Sequence, residues 1–284
     1  MNAYVQLVRA PAALTVLGDT VAGGAAAGLR LRGRRLLLPL SSAAFYWSGM
    51  ALNDWADREL DATERPERPI PSGRISPNRA LAVAGGLTAA GLGLAAAGGG
   101  RDAVALAVPL AVAVWAYDTV LKPTPAGPAG MAACRALDVL MGAGASRARQ
   151  ALPAAAAVGG HTLGVTALSR GEVHGATPGT AQAALAGTAL TAAVAVGGRA
   201  RSARHRLGAL GAAALYSATV GRAQFAAQKD PSAATVRRAT MAGIHGMVPL
   251  QAAIAARRGS LLGALAVAAA LPLARALSKK VSPT

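Results

Sequence analysis

What this chain lacks narrows its function before any motif is read. A single cysteine, Cys134, in 284 residues excludes an intramolecular disulfide and any cysteine-built metal site. It reads as a small apolar side chain packed in a helix. Charged residues make up only 14% of the chain, where a soluble domain would carry about a quarter. Lysine occurs only at Lys122, Lys229, Lys279 and Lys280, so the formal net charge of +17 is almost entirely arginine. Aromatic residues are 3% of the total, and with no stacking platform or recognition fold beside them these arginines do not read as a nucleic-acid surface. Clusters such as Arg30, Arg32, Arg34 and Arg35, or Arg199, Arg201, Arg204 and Arg206, suit anionic lipid headgroups. A coding bias toward alanine, glycine and arginine is the plainer contribution.

What is abundant is apolar length. Hydrophobic residues make up 53% of the chain, and the mean hydropathy is +0.39. Apolar stretches recur near 11–29, 36–56, 79–99, 102–121, 129–146, 151–168, 181–198, 207–227, 236–256 and 260–277. Each approaches the roughly 20 residues that cross a bilayer as a helix. Many are built of alanine and glycine, which give weak insertion signals but let helices approach closely. The expectation is an all-α, polytopic membrane helical bundle of roughly eight to ten spans, forming a single domain over residues 1–284. The spans near 207–227 and 236–256 are the least defined. Met1 to Arg9 lacks the order of a cleavable signal, so the first stretch is expected to stay as an anchor. Residues 277–284 read as a short polar, basic tail.

The most informative run is Asn53-Asp54-Trp55-Ala56-Asp57-Arg58-Glu59-Leu60-Asp61, which leaves an apolar segment and enters Arg65-Pro66-Glu67-Arg68-Pro69-Ile70-Pro71-Ser72-Gly73. Aspartates spaced by four and three are neighbours on one helix face. Unpaired, they repel, so positive charge belongs among them. Magnesium prefers hard oxygen ligands and takes one or two carboxylates plus substrate phosphates. The plainer alternative is an acidic helix end paired with Arg58, Arg65 and Arg68.

Asn53-Asp54-x-x-Asp57-x-x-x-Asp61, with Arg65, Arg68-Pro69-Ile70-Pro71-Ser72-Gly73 and Ile75-Ser76, resembles the first aspartate-rich motif of the UbiA superfamily of integral-membrane prenyltransferases. The resemblance implies a UbiA-like bundle of about nine transmembrane helices that binds an isoprenyl diphosphate through Mg²⁺. It implies catalytic, metal-holding roles for Asp54, Asp57 and Asp61, and diphosphate contacts from Asn53, Arg65 and Arg68. Tyr117 and Lys122 resemble the tyrosine and lysine after the family's fourth helix, the lysine meeting diphosphate oxygens. Arg9, ahead of Pro11, resembles the arginine that opens the family's first helix and approaches the diphosphate; an interfacial anchor is its ordinary role.

The second motif departs from the family pattern, Asp-x-x-x-Asp. The corresponding Thr166-Ala167-Leu168-Ser169-Arg170-Gly171-Glu172-Val173-His174-Gly175-Ala176-Thr177 has no aspartate. Glu172 is its one carboxylate and the expected metal ligand, Arg170 an expected diphosphate contact, and His174 a polar contact or proton acceptor; otherwise the segment is a connecting loop. This motif, the Asp118…Lys122 and Arg135…Asp138 sequences and the terminal Lys-Lys-Val-Ser-Pro-Thr together resemble the EboC-like branch. Inside the spans, Asp19 has no assigned role, while Arg135 and Asp138, three residues apart, are placed to pair with each other.

The function implied is Mg²⁺-dependent ionisation of an isoprenyl diphosphate and prenyl transfer to an unidentified acceptor, in a cavity lined by aliphatic residues and by Trp47, Trp55 and Trp115. Terpene cyclisation shares the same metal site, although so few aromatic residues favour transfer. A non-catalytic prenyl-lipid-binding protein is the third reading. The resemblance places the site on the cytoplasmic face of the cell inner membrane, whereas Arg30, Arg32, Arg34 and Arg35 argue for the opposite placement by the positive-inside rule.

Overall fold

The computed structural model describes residues 2–278. Among these the regular structure is helical throughout: α1 (Ala3–Leu7), α2 (Leu17–Ala26), α3 (Leu37–Ala56), α4 (Arg58–Glu64), α5 (Pro77–Ala116), α6 (Gly127–Ala143), α7 (Ala148–Ser169), α8 (Pro178–Val196), α9 (Ala203–Tyr216), α10 (Arg222–Lys229), α11 (Ala233–Arg257) and α12 (Leu261–Ser278). The basic tail beyond Ser278 lies outside the described residues. The two least defined spans are both helical, the first as α9, a π turn at Ser217–Gly221 and α10, the second as α11.

Length alone makes α5 two helices. Its 40 residues would run about 60 Å at 1.5 Å per residue, twice the roughly 30 Å of bilayer hydrocarbon. Gly100, at φ 65° and ψ −156°, turns the chain between the limbs, a conformation open to glycine alone at little steric cost. The limbs then fold back on one another, so that Trp115 Nε1 donates to Thr88 Oγ1 at 3.0 Å. Both limbs flank α3: Ser41 and Ser48 bond the Gly91 and Ala84 carbonyls of the first, and Gly49 meets Val114 of the second.

Among the described residues, four helical segments are long and apolar enough to cross a membrane: Pro77–Leu121, Ala145–Ser169, Pro178–Val196 and Ala233–Arg257. The others are shorter or more polar: α6 has 17 residues, and the 20-residue α3 carries serines, Asn53 and Asp54. The short α2 is an extreme case, with nine of its ten residues buried. It crosses α6 so closely that a Cβ on Gly23 would collide with the Val139 carbonyl, and one on Gly142 with the Thr20 backbone.

Gly142→Ala should therefore lower the thermal midpoint in detergent, overpacking of this kind being worth about 1–3 kcal/mol. Gly85→Ala, where an added Cβ meets nothing within 4 Å, should leave the midpoint unchanged or raise it. Equal midpoints for the two variants would contradict the α2–α6 crossing.

Candidate active site

The aspartate run sits where α3 ends. Backbone hydrogen bonds of α3 carry through Asp57, whose N–H reaches the Asn53 carbonyl, but at φ −85° and ψ 3° Asp57 separates α3 from α4. The expected single helical face is thus two helices meeting at Asp57. Each carboxylate faces a cation. Arg68 Nη1 bridges Asp61 Oδ2 at 2.6 Å and Asp54 Oδ1 at 3.4 Å. Arg9 Nη2 adds a second contact to Asp54 at 3.0 Å, and Lys122 Nζ pairs with Asp57. Asp54 and Asp61 are almost fully buried behind this layer, whereas Asp57 is half-buried on the cavity wall.

Local geometry explains the convergence. The loop after α4 folds back on itself, Ile75 N–H bonding the Pro69 carbonyl around Gly73 at φ 73°. That returns Arg68 to the carboxylates. Lys122 follows a π turn, Tyr117–Leu121, of the kind that redirects side chains at functional sites. Arg9 is the one non-glycine residue among those described with positive φ, at 44°, a conformation that surrounding structure must impose.

Arg9, Asn53, Asp57, Arg65, Arg68, Tyr117, Lys122 and Glu172 all line one cavity of about 380 Å³. Its polar mouth continues into an apolar chamber of about 250 Å³ that shares Tyr46, Met50, Asn53, Tyr117 and Met131 as walls. Asn53 Nδ2 donates to Asp118 Oδ1 at the junction, 3.2 Å away. A second arm runs between α7 and α11, past Thr162, Thr166, Ser169 and Thr240. Thr240 is buried there, beside the Glu172 carboxyl. Glu172 reaches this arm because its loop is docked on the α10–α11 connection, with Ala176 N–H bonding the Pro231 carbonyl and Arg237 holding the Glu172 carbonyl. Burial pushes the Glu172 carboxyl above its ordinary value, against the lowering pull of Thr240 and Arg237.

Four expectations change. Arg170 is exposed and bonds the carbonyls of Lys122 and Thr124, bracing the loop after the π turn and not lining the cavity. His174 is likewise exposed. Arg135 pairs not with Asp138 but with Asp19, Nε to Oδ2 at 3.1 Å, while Asp138 accepts from Ser42 Oγ at 2.6 Å. The tryptophans also lie elsewhere. Trp55 and Trp115 pack around Leu7, Leu52 and Ile75, and Trp47 packs beside Ala13, its indole donating to the Ala10 carbonyl. The cavity aromatics are Phe45, Tyr46 and Tyr117; Phe45 and Tyr46 recur with Gly49, Met50 and Asn53 at helical spacing on α3, a periodicity present in the sequence.

The family model described as UbiA prenyltransferase family matches residues 15–242. The chain belongs to that family. It is therefore a membrane protein, in keeping with its apolar helices. Curated relatives named digeranylgeranylglyceryl phosphate synthase include those of Methanopyrus kandleri, 41% identical over 126 residues covering 44% of this chain and 46% of that one, and Ignicoccus hospitalis, 41% identical over 127 residues covering 44% and 40%. The matched part spans less than half of these relatives. Solved structures share the fold. The apo UbiA homolog from Aeropyrum pernix K1 superposes at TM-score 0.67 with 17% identity, covering 85% of this chain and 96% of that one. The UbiA homolog from Archaeoglobus fulgidus bound to DMAPP and Mg²⁺ gives 0.62 with 16% identity, covering 88% and 98%.

Arg68 carries two UbiA-motif carboxylates in a nearly dry setting, its side chain 12% exposed. Arg68→Ala should destabilise the protein by about 3–5 kcal/mol, the range for removing one partner of a buried ion pair, and Arg68→Lys by less. Thermal midpoints in detergent test this; a midpoint within a degree of wild type for Arg68→Ala would refute the bridge.

Proposed function

We propose that this protein is an Mg²⁺-dependent membrane prenyltransferase that ionises an isoprenyl diphosphate and passes the prenyl group to an acceptor. The observation that carries the reading is the joined cavity: a charged mouth opening directly into an apolar chamber suits a ligand with a diphosphate head and a hydrocarbon tail. The relatives' names and the bound DMAPP and Mg²⁺ of the Archaeoglobus structure support it.

The residues at the mouth fit magnesium chemically. Asp57 and Glu172 present carboxylate oxygens to the same space. Among the described residues no three metal-ligating side chains close around one point; magnesium takes few protein carboxylates and completes its shell with phosphate oxygens. Asp54, Asp57 and Asp61, with Glu172 from the second motif, are the residues that would hold it. Bound there, the ion neutralises charge building on the departing diphosphate. Arg65, Arg68, Lys122 and Arg9 bind and orient the diphosphate, and Asn53 positions it at the chamber entrance. As the carbon–oxygen bond breaks, the apolar walls exclude water from the allylic cation, and the faces of Phe45, Tyr46 and Tyr117 stabilise it. The hydroxyl-lined arm with Glu172 receives the acceptor. Three aromatic rings are a sparse lining for a cyclisation cascade, which favours transfer over terpene cyclisation.

We propose that the site faces the cytoplasm at the inner membrane; the family's usual orientation supports this, and the arginines at 30–35, at the other end of α3, oppose it. Cys134 is buried, so added thiols report orientation. Glu67→Cys should react with an impermeant maleimide only in inverted vesicles and Arg32→Cys only in right-side-out ones; the reverse pattern would invert the placement.

Given ten- to twenty-carbon prenyl diphosphates in nanodiscs, wild type should release diphosphate only with magnesium. The double variant Asp54→Ala/Asp57→Ala should be slower by at least about a hundredfold, the scale of losing preorganised charge at a leaving group. Product mass separates transfer from cyclisation. Magnesium-dependent binding without release, with or without a crude lipid extract as acceptor, would establish the non-catalytic alternative.

A further inference from the structure

The apolar chamber has a polar floor. Its α3 wall runs inward from Asn53 through Met50, Gly49, Tyr46 and Phe45 to Ser42, one stripe of a helix. The α6 wall runs inward from Met131 to Asp138, and the second limb of α5 contributes Leu110 at the same depth. Ser42 and Asp138 are 1% and 5% exposed and share the 2.6 Å hydrogen bond. The polar groups beside them are already engaged. Arg135 is committed to Asp19 and the Thr15 carbonyl, and Gln251 Nε2 holds the same two groups at 2.7 and 2.9 Å. The one guanidinium in this cluster thus serves Asp19, and Asp138 is left with the Ser42 hydroxyl and the neighbouring Asp19 carboxyl.

Resting on the prenyl-diphosphate reading, we propose that Asp138, held by Ser42, is the specificity-determining residue that sets the maximum length of the prenyl chain. From Asn53 to Ser42 is 11 residues of α3, about 16 Å at 1.5 Å per residue. An extended isoprene unit advances roughly 4–5 Å by ordinary carbon–carbon geometry, so three units, roughly 12–15 Å, fit above the floor and a fourth, ending at roughly 16–20 Å, meets it. A fourth would press methyl groups onto a carboxyl group and strip it of hydrogen-bonding partners, which a buried polar group resists. An apolar floor would adjust by side-chain shifts; this one is pinned.

The test compares kcat/KM for ten-, fifteen- and twenty-carbon diphosphates in wild type, Asp138→Ala, Ser42→Ala and Asp138→Asn. Asp138→Ala leaves Asp19 and Arg135 as a balanced pair and opens the floor; Asp138→Asn keeps its shape. Wild type should favour the fifteen-carbon donor over the twenty-carbon one by at least about tenfold, within the range of pocket-based discrimination. Asp138→Ala and Ser42→Ala should each raise the twenty- to ten-carbon ratio by about tenfold, and Asp138→Asn should keep the wild-type ratio. Equal use of all donors by wild type overturns the proposal. So does lower thermal stability with unchanged ratios in both Asp138→Ala and Ser42→Ala, which makes the Ser42–Asp138 bond only a tie between α3 and α6. Should Asp138→Ala fail to fold, the Ser42→Ala ratio decides alone. Absence of release from every donor would sink the prenyl-transfer reading itself, and this one with it.

Discussion

Everything in this bundle depends on finding a counter-charge for each ionised side chain that its fold takes out of water. The Asp19–Arg135 pair states the constraint most plainly. Asp19 is fully buried on the helix at the centre of the molecule, and its neighbours come from α6 and α11, 116 and 232 residues away. Charges so placed inside a membrane bundle are expensive alone and are retained where they face a partner or a cavity. Here they do both, since Arg135 also lines the two chambers. The close α2–α6 crossing at Gly23 and Gly142 is the geometric condition for this contact, because a wider crossing would separate the guanidinium from its carboxylate.

The same constraint takes a different form at the mouth. Asp54 and Asp61 are partnered by Arg9 and Arg68, out of reach of bulk water. Asp57 and Lys122 face open space, with side chains 24% and 28% exposed, where their pairing is worth less and is easily exchanged. A diphosphate arriving with its metal brings both signs of charge. Each member of the outer pair can then trade its partner for an incoming one without leaving an uncompensated ion. The inner pairs, deeper in, can exchange only as a set, the metal taking the carboxylates while the diphosphate takes the guanidiniums.

Local rules made part of this legible in the chain and misled elsewhere. Asn53, Asp57, Arg65, Arg68 and Lys122 were readable because their spacing and residue types carry the chemistry, and the cavity collects all five. Apolar length likewise marked the helices, and the gap between 79–99 and 102–121 fell on the Gly100 turn. The break at Asp57 was not readable, since helical spacing continues through it. Arg135 and Asp138 looked like a pair because three residues separate them on one helix. The tertiary partner Asp19 wins because it is the more deeply buried carboxylate and Ser42 satisfies Asp138. The tryptophans were misplaced for a similar reason: apolar bulk says that a ring is covered, not by what. Phe45 and Tyr46 line the chamber through the face of α3 they occupy.

The altered second motif gains a physical meaning from its setting. A loop with Glu172 in place of two aspartates lowers the negative charge on that side of the cavity, and Arg237, in contact with the Glu172 backbone, lowers it further. Around it stand hydroxyls, with Thr240 buried beside Glu172. A buried hydroxyl is stabilised by each further hydrogen bond that a polar ligand brings it. With one carboxylate and several hydroxyls, this wall offers neutral polar groups hydrogen bonds as well as one ligand to a cation. The two ends of the cavity divide the work accordingly: the α3–α4 junction is built for phosphate and metal, and the α7–α11 arm for a partner carrying hydrogen-bonding groups.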